Sequence, residues 1–187
     1  MSVIQADAMS RFLGEPMSED TLFAFWKRAV VQGFANQMAQ PVAPTRRGFT
    51  HAYRFTGDRN LEYREEFAGM TRWSGDELIV HDFEHPRWRL SVHGGFEPWL
   101  LDPDVSEKEM RSLKEATPLR LREALSTART ESLEAFLPRG PVEHRMDDLW
   151  VYRCDWNGGF DNFVGTETLG RNGMRIMTMD FIGGIIL

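Results

Sequence analysis

Two stretches of the chain, "LEYREEFAGMTRWSGDELIVHDFEHPRWRLSVHGG" (61–95) and "WVYRCDWNGGFDNFVGTETLGRNGMRIMTMDFIGG" (150–184), carry the same side chains in the same order. Tyr63-Arg64 matches Tyr152-Arg153, and Phe67 matches Trp156. After one inserted residue, Trp73, Gly75 and Glu77 match Phe163, Gly165 and Glu167. After one deleted residue, Trp88, Leu90 and Val92 match Met177, Met179 and Phe181, and both stretches close on Gly-Gly at 94–95 and 183–184. Both length differences fall where turns are expected. A pattern written twice implies one unit of structure used twice.

Parity turns the match into geometry, because neighbouring residues of a strand point to opposite faces. Tyr63 and Phe67 share one face, as do Trp73, Gly75 and Glu77, and then Trp88, Leu90 and Val92. The second stretch repeats this with Tyr152, Cys154 and Trp156, with Phe163, Gly165 and Glu167, and with Met177, Met179 and Phe181. Bulky rings belong on the covered face, so each glutamate points inward, two places beyond a glycine. An unpaired buried carboxylate costs several kcal/mol. It needs a hydroxyl, an arginine, a backbone N–H, a ligand or a proton. Tyr63 and Tyr152 are the nearest hydroxyls, whereas Arg64 and Arg153 have the opposite parity.

Around these stretches the signals alternate between helix and strand. Residues 1–17 carry no period and read as a loose arm. "SEDTLFAFWKRAVVQGF" reads as a helix capped by Ser18, with Glu19 and Asp20 at its positive end and an apolar stripe of Leu22, Phe25, Trp26, Ala29 and Val30. A Pro-broken loop, "QPVAPTRRG", precedes a three-strand meander from Tyr53 to Val92. Ser106 and Glu109 form a capping box that opens a short helix. Thr117 before Pro118 predicts the start of a longer one, 118–136, ended by "LPRGP" (137–141). Strand-like runs return over 149–182.

The expected fold is α+β: two pseudo-equivalent helix-plus-three-strand repeats, about 18–96 and 105–187, forming antiparallel sheet covered by helices. Together they make a single domain, 18–187. The first helix and the 118–136 helix are expected to be equivalent.

The net charge of −6 over 187 residues, with adjacent basic residues only in the isolated pairs Lys27-Arg28 and Arg46-Arg47, argues against nucleic-acid binding. One cysteine, Cys154, excludes an intramolecular disulfide and fits a reducing compartment. No secretion leader and no apolar run near the ~20 residues of a membrane span are visible, so the expectation is a cytoplasmic protein with no membrane partner.

The marks "LEYRE", "WSGDEL", "PRWRLSVHGG", "LREAL", "PRGP", "WVYRC", "FDNFVGTE" and "FIGGIIL", in this order, are similar to those of an uncharacterised bacterial family known as a domain of unknown function. The resemblance runs from about Leu22 to Leu187. It implies a protein that stands alone or forms the C-terminal half of a helix-turn-helix regulator. The family brings no established reaction, so no catalytic residue carries over. Trp73 stands where the family usually has Phe, and Met177 and Met179 soften the last strand.

Other constellations are weaker. "HDFEH" (81–85) matches a zinc-hydrolase spacing that needs a helix, but Pro86 follows and the repeat places it in a hairpin turn. No metal or cofactor is expected. His93 lies opposite the core and reads as surface. Cys154 shares the aromatic face and reads as a small buried hydrophobe. Gly94-Gly95 and Gly183-Gly184 lack phosphate-loop spacing and read as tight turns.

These residues support a non-catalytic ligand- or protein-binding module with a cleft between the repeats, lined by Glu77, Glu167, Tyr63, Tyr152, Trp73, Phe163 and Trp88. The occupant would be a small molecule or a protein partner. One alternative is an enzyme using Glu77 or Glu167 as general acid or base. Another is an interaction partner of a toxin, regulator or defence system. In the plainer reading each glutamate is bonded inside its own repeat and fixes strand register.

Overall fold

A computed structural model of the protein describes residues 17–36, 41–57, 59–82, 84–131 and 136–186. Apart from Met17, the expected N-terminal arm lies outside the described residues. Helix α1 (Glu19–Val30) starts as its sequence dictates: the Ser18 hydroxyl accepts from the Thr21 N–H at 3.3 Å, and Glu19 and Asp20 occupy the first turn. Its buried face is the anticipated stripe of Leu22, Phe25, Trp26, Ala29 and Val30.

The strands are β1 (His51–Thr56), β2 (Leu61–Ala68), β3 (Arg72–His81), β4 (His85–Phe96), β5 (Glu143–Arg145), β6 (Trp150–Gly159), β7 (Asn162–Arg171) and β8 (Met174–Ile185). They form one antiparallel sheet in the order β1-β2-β3-β4-β8-β7-β6-β5. The fold is therefore α+β. The first four strands form one meander and the last four another, and the two meet at the β4–β8 pair. There the register runs from Trp88↔Ile185 to Phe96↔Met177, with Val92↔Phe181 at its middle.

Each meander has four strands rather than three. The extra strands sit at the two edges, where the alternation signal fails. β1 buries the consecutive residues Ala52 and Tyr53, and β5 is only three residues long.

The second helical region also differs from expectation. One helix, α2 (Glu107–Glu131), runs through Pro118 instead of starting there. A proline inside a helix removes one hydrogen bond and crowds the carbonyl four residues back. Here Leu113 on one side and Leu121, Ala124 and Leu125 on the other are all buried, and their shared burial carries the helix across the break. The Ser106 cap does form, accepting from the Glu109 N–H at 3.2 Å.

Both helices cover one face of the sheet, α1 against β2 and α2 against β6. Between them lies a core rich in rings. Trp88 stacks on Phe160 and Phe163, with centroids 5.4 and 5.8 Å away, and its indole N–H donates to the Phe160 carbonyl at 3.0 Å. On the opposite face, Arg46 from the segment before β1 reaches Glu66 and Asp76. Arg89 and Ser91 also bond Asp76 there.

The Gly-Gly pairs are not tight turns. Both lie inside strands, at places where another chain segment crosses too closely for a side chain. A Cβ on Gly94 would sit 2.1 Å from the Thr178 carbonyl oxygen, and one on Gly183 would sit 2.4 Å from the Phe163 ring. Gly75 and Gly165 are glycines for the same reason: a Cβ would meet the Phe67 ring at 2.4 Å and the Phe181 ring at 2.5 Å. Rings lie over the glycines, and the glutamates follow two residues on.

Candidate functional site

β2, β3, β6 and β7 place Tyr63, Glu77, Tyr152 and Glu167 on the inner face, each with 0% exposure. Parity thus has both glutamates correctly buried. The Tyr63 hydroxyl donates to Glu77 Oε2 at 2.7 Å, and the Tyr152 hydroxyl donates to Glu167 Oε2 at the same distance. What joins the two pairs is Arg139, from the loop that follows α2. Its Nη1 donates to Glu77 Oε1 at 2.7 Å, while Nε and Nη2 donate to Glu167 Oε1 at 3.1 and 3.0 Å. The result is a buried chain of tyrosine, glutamate, arginine, glutamate and tyrosine.

The local sequence explains how an arginine is held there. Pro138 and Pro141 restrict the backbone on either side of Arg139-Gly140. The Gly140 N–H donates to the Tyr152 hydroxyl at 2.9 Å, and a Cβ on Gly140 would sit 2.4 Å from the Tyr152 ring. Burial works against the Arg139 charge, but Glu167 and Glu77 outweigh it and raise its pKa above the usual arginine range. Burial, and then the charge of Glu167, raise Tyr152 well above an ordinary tyrosine, so its hydroxyl stays protonated as a donor. The same two causes push the Cys154 thiol up to about 12, which leaves it unsuited to nucleophilic work at neutral pH.

Beside Arg139 opens a cleft of about 280 Å³. Phe34, Tyr53, Phe67 and Trp73 line its sheet side, Met177 and Met179 its depth, and Thr117, Pro118, Leu121 and Arg122 its α2 side. Phe67 packs edge-on to Phe34 at 5.5 Å. The Arg122 guanidinium lies over the Phe34 ring, 4.7 Å from its centroid, and its Nη2 donates to the Tyr53 hydroxyl at 3.0 Å. Thr117 is 1% exposed, and its hydroxyl has no hydrogen-bond partner among the described residues.

The seven expected ligand-lining residues therefore separate. Glu77, Glu167, Tyr63 and Tyr152 come together around Arg139 inside the core, and Trp88 and Phe163 stack in it. Trp73 alone of the seven lines this cleft. Arg64 and Arg153 stay on the outer face, paired with Glu62 and Glu143. His81 and His85 pair with each other across the β3–β4 hairpin, so the two histidines of "HDFEH" flank a turn and do not stand one helical turn apart. Among the described residues, no group of three or more His, Cys, Asp or Glu is arranged to hold a metal ion. No described helix is long and apolar enough to cross a membrane.

The family model described as Domain of unknown function (DUF5680) matches residues 65–186, well over half of the chain. The chain belongs to this family. No curated protein and no solved structure matches it. The DUF5680 match takes in Glu77, Arg139, Tyr152 and Glu167 but begins two residues after Tyr63. Helix α1, β1 and the Phe34–Tyr53 wall of the cleft precede it.

Sequence reasoning missed Arg139, Thr117 and Arg122. In the sequence, "LPRGP" (137–141) reads as a helix terminator. Its signal was a lone arginine in a backbone stiffened by two prolines, in a chain with two inward acids still lacking a cation.

Proposed function

We propose that the chain is a non-catalytic binding module whose ligand is a small molecule held in the cleft between the aromatic wall of β1–β3 and α2. The observation that carries this reading is the buried Thr117 hydroxyl, which has no hydrogen-bond partner among the described residues and borders an aromatic-walled space. A buried hydroxyl is normally satisfied, and a bound molecule would satisfy this one. Glu77 and Glu167 belong to the scaffold in this reading, because each carboxylate is held by Arg139 and a tyrosine. Acid–base work by either would first require breaking those bonds.

We read the two meanders as copies of one helix-plus-strands unit. The β4–β8 register supports this: Val92 pairs with Phe181, its counterpart in the sequence match, and Trp88↔Ile185 is mirrored by Phe96↔Met177. Gly33 and Gly140 each follow a helix; a Cβ on Gly33 would meet the Glu65 carboxylate first and then the Tyr63 ring at 3.3 Å, and one on Gly140 would meet the Tyr152 ring at 2.4 Å. In that alignment Gln32 stands where the second half has Arg139, so a single cation serves both acids.

A small-molecule library screened by protein-observed NMR tests the binding function. Hits should shift the Trp73 indole resonance and be lost in a Leu121→Trp variant that fills the cleft. Hits that leave Trp73 unmoved, or that survive Leu121→Trp, would remove the cleft from the account.

A further inference from the structure

Given the reading of this cleft as a binding site, its chemistry narrows the ligand. Among the described residues the titratable groups lining it are His51, Tyr53, Arg122 and Arg139, with no carboxylate. That is unusual in a chain with 28 acidic residues against 22 lysines and arginines. Arg139 brings little free charge, since Glu77 and Glu167 already neutralise it. Arg122 is different. Among the described residues its guanidinium meets the Tyr53 hydroxyl and the Phe34 ring, both uncharged, and its Nε is shut off from solvent without a hydrogen-bond partner.

A partly buried guanidinium without an anion is costly, and a planar carboxylate fits its fork. Thr117, on the same helix and lining the same cleft, adds a buried hydroxyl able to donate. The remaining walls are Phe34, Phe67, Trp73, Leu121 and the two methionines, which suit a flat apolar body. The volume, about 280 Å³, lies just below the ~300–1,000 Å³ range of ligand pockets and limits the guest to one ring with a short side chain.

We infer that the cleft binds a small arylcarboxylic acid, its carboxylate held by Arg122 and Thr117 and its ring between the aromatic wall and Leu121. Phenylacetate, phenylacetamide and phenethylamine share a ring and a similar size but differ in charge, so they separate the contributions. Titrated calorimetrically at pH 7 into the wild-type protein, phenylacetate should bind at least ~tenfold more tightly than the amide, the ratio expected of a charge-assisted over a neutral hydrogen bond. The amine should bind more weakly than either. Arg122→Gln should bring acid and amide to the same affinity, and Thr117→Val should weaken the acid while leaving its Trp73 resonance shift in place.

Equal affinity for acid and amide in the wild-type protein overturns the assignment of the ligand class and leaves the cleft standing as a site for neutral molecules. Tighter binding of the amine does the same. Failure of all three to perturb Trp73 at millimolar concentration overturns both the class and the cleft. The wild-type comparison requires no variant, so a misfolded Arg122→Gln protein would not rescue the inference.

Discussion

Replacing Arg139 with methionine removes the guanidinium while keeping much of its length and apolar bulk. In the native protein the Arg139, Glu77 and Glu167 side chains are each at most 1% exposed, so water cannot take over the lost bonds. Breaking one buried ion pair by deleting a partner costs about 3–5 kcal/mol, because the remaining charge is left uncompensated. Here one deletion takes the counter-ion from two carboxylates, each of which still accepts from a tyrosine hydroxyl. The expected loss is at least ~4 kcal/mol, a large part of the ~5–15 kcal/mol that stabilises an ordinary domain, or roughly 8–16 °C in Tm at this size. Urea unfolding followed by tryptophan fluorescence measures it. Arg139→Lys is the milder companion. One ammonium cannot reproduce a fork that gives Nη1 to one acid and Nε with Nη2 to the other, so it should recover only part of the loss. The decisive variant combines Arg139→Met with Glu77→Gln and Glu167→Gln. With all three charges of the cluster removed it should be more stable than Arg139→Met alone, since a buried ionic cluster replaced as a whole is often tolerated. An Arg139→Met protein within ~1 kcal/mol of wild type, or a triple variant no more stable than the single, would refute the reading of this cluster as a charge-balanced strut.

Three further outcomes follow from the geometry. Gly140→Ala should destabilise by about 1–3 kcal/mol in urea unfolding, because its Cβ would meet the fully buried Tyr152 ring, which has no room to retreat. The Cys154 thiol should resist iodoacetamide at pH 8 in the folded protein and react on unfolding. Its folded pKa, about 12 against an ordinary 9.0, contributes stability that is complete below pH 9 and lost as pH rises from 9 to 12, a decline that Cys154→Ala should reduce. Asp76 titrates in the opposite sense: burial opposes its charge, but bonds from Ser91, Arg89 and Arg46 hold it below its ordinary 3.8, so its stabilisation is present above that pH and lost as pH falls below it. Asp76→Asn should lower stability at pH 7 and flatten the acid decline in unfolding midpoint below pH 4.

The features legible in the sequence were those written locally. The Ser18 cap and the apolar stripe of α1 lie within one helix, and strand parity alone places Glu77 and Glu167 on the ring-bearing face. The gaps in legibility have distinct physical origins. Pro118 has strong local meaning as a helix start, but a burial stripe extending from Leu113 to Leu125 overrides it. Gly-Gly suggests a turn in one dimension, while the requirement it meets is a close crossing of segments remote in sequence, such as Thr178 over Gly94. Arg139 was hidden most fully, since its partners lie 62 and 28 residues away. The need for a cation was legible, but its address was not. Thr117 before Pro118 has a complete local meaning as a helix start, and that meaning masks its hydroxyl as a donor to the cleft.

The position of Arg139 also says something about how the molecule holds together. The two meanders share the β4–β8 ladder, whose hydrogen bonds are individually modest because water would replace them on separation. The guanidinium is different in kind, because it reaches Glu77 on β3 and Glu167 on β7. Pulling either meander away would leave a buried carboxylate without its counter-ion. That cost falls in one step, where a ladder can open bond by bond, and it favours unfolding of the eight strands as one cooperative unit. Because Arg139 also lines the cleft, that space exists only when both meanders and the loop after α2 are in place. A ligand there binds the assembled state alone, so saturating it should raise the unfolding midpoint of the whole sheet, with no separate transition for either half.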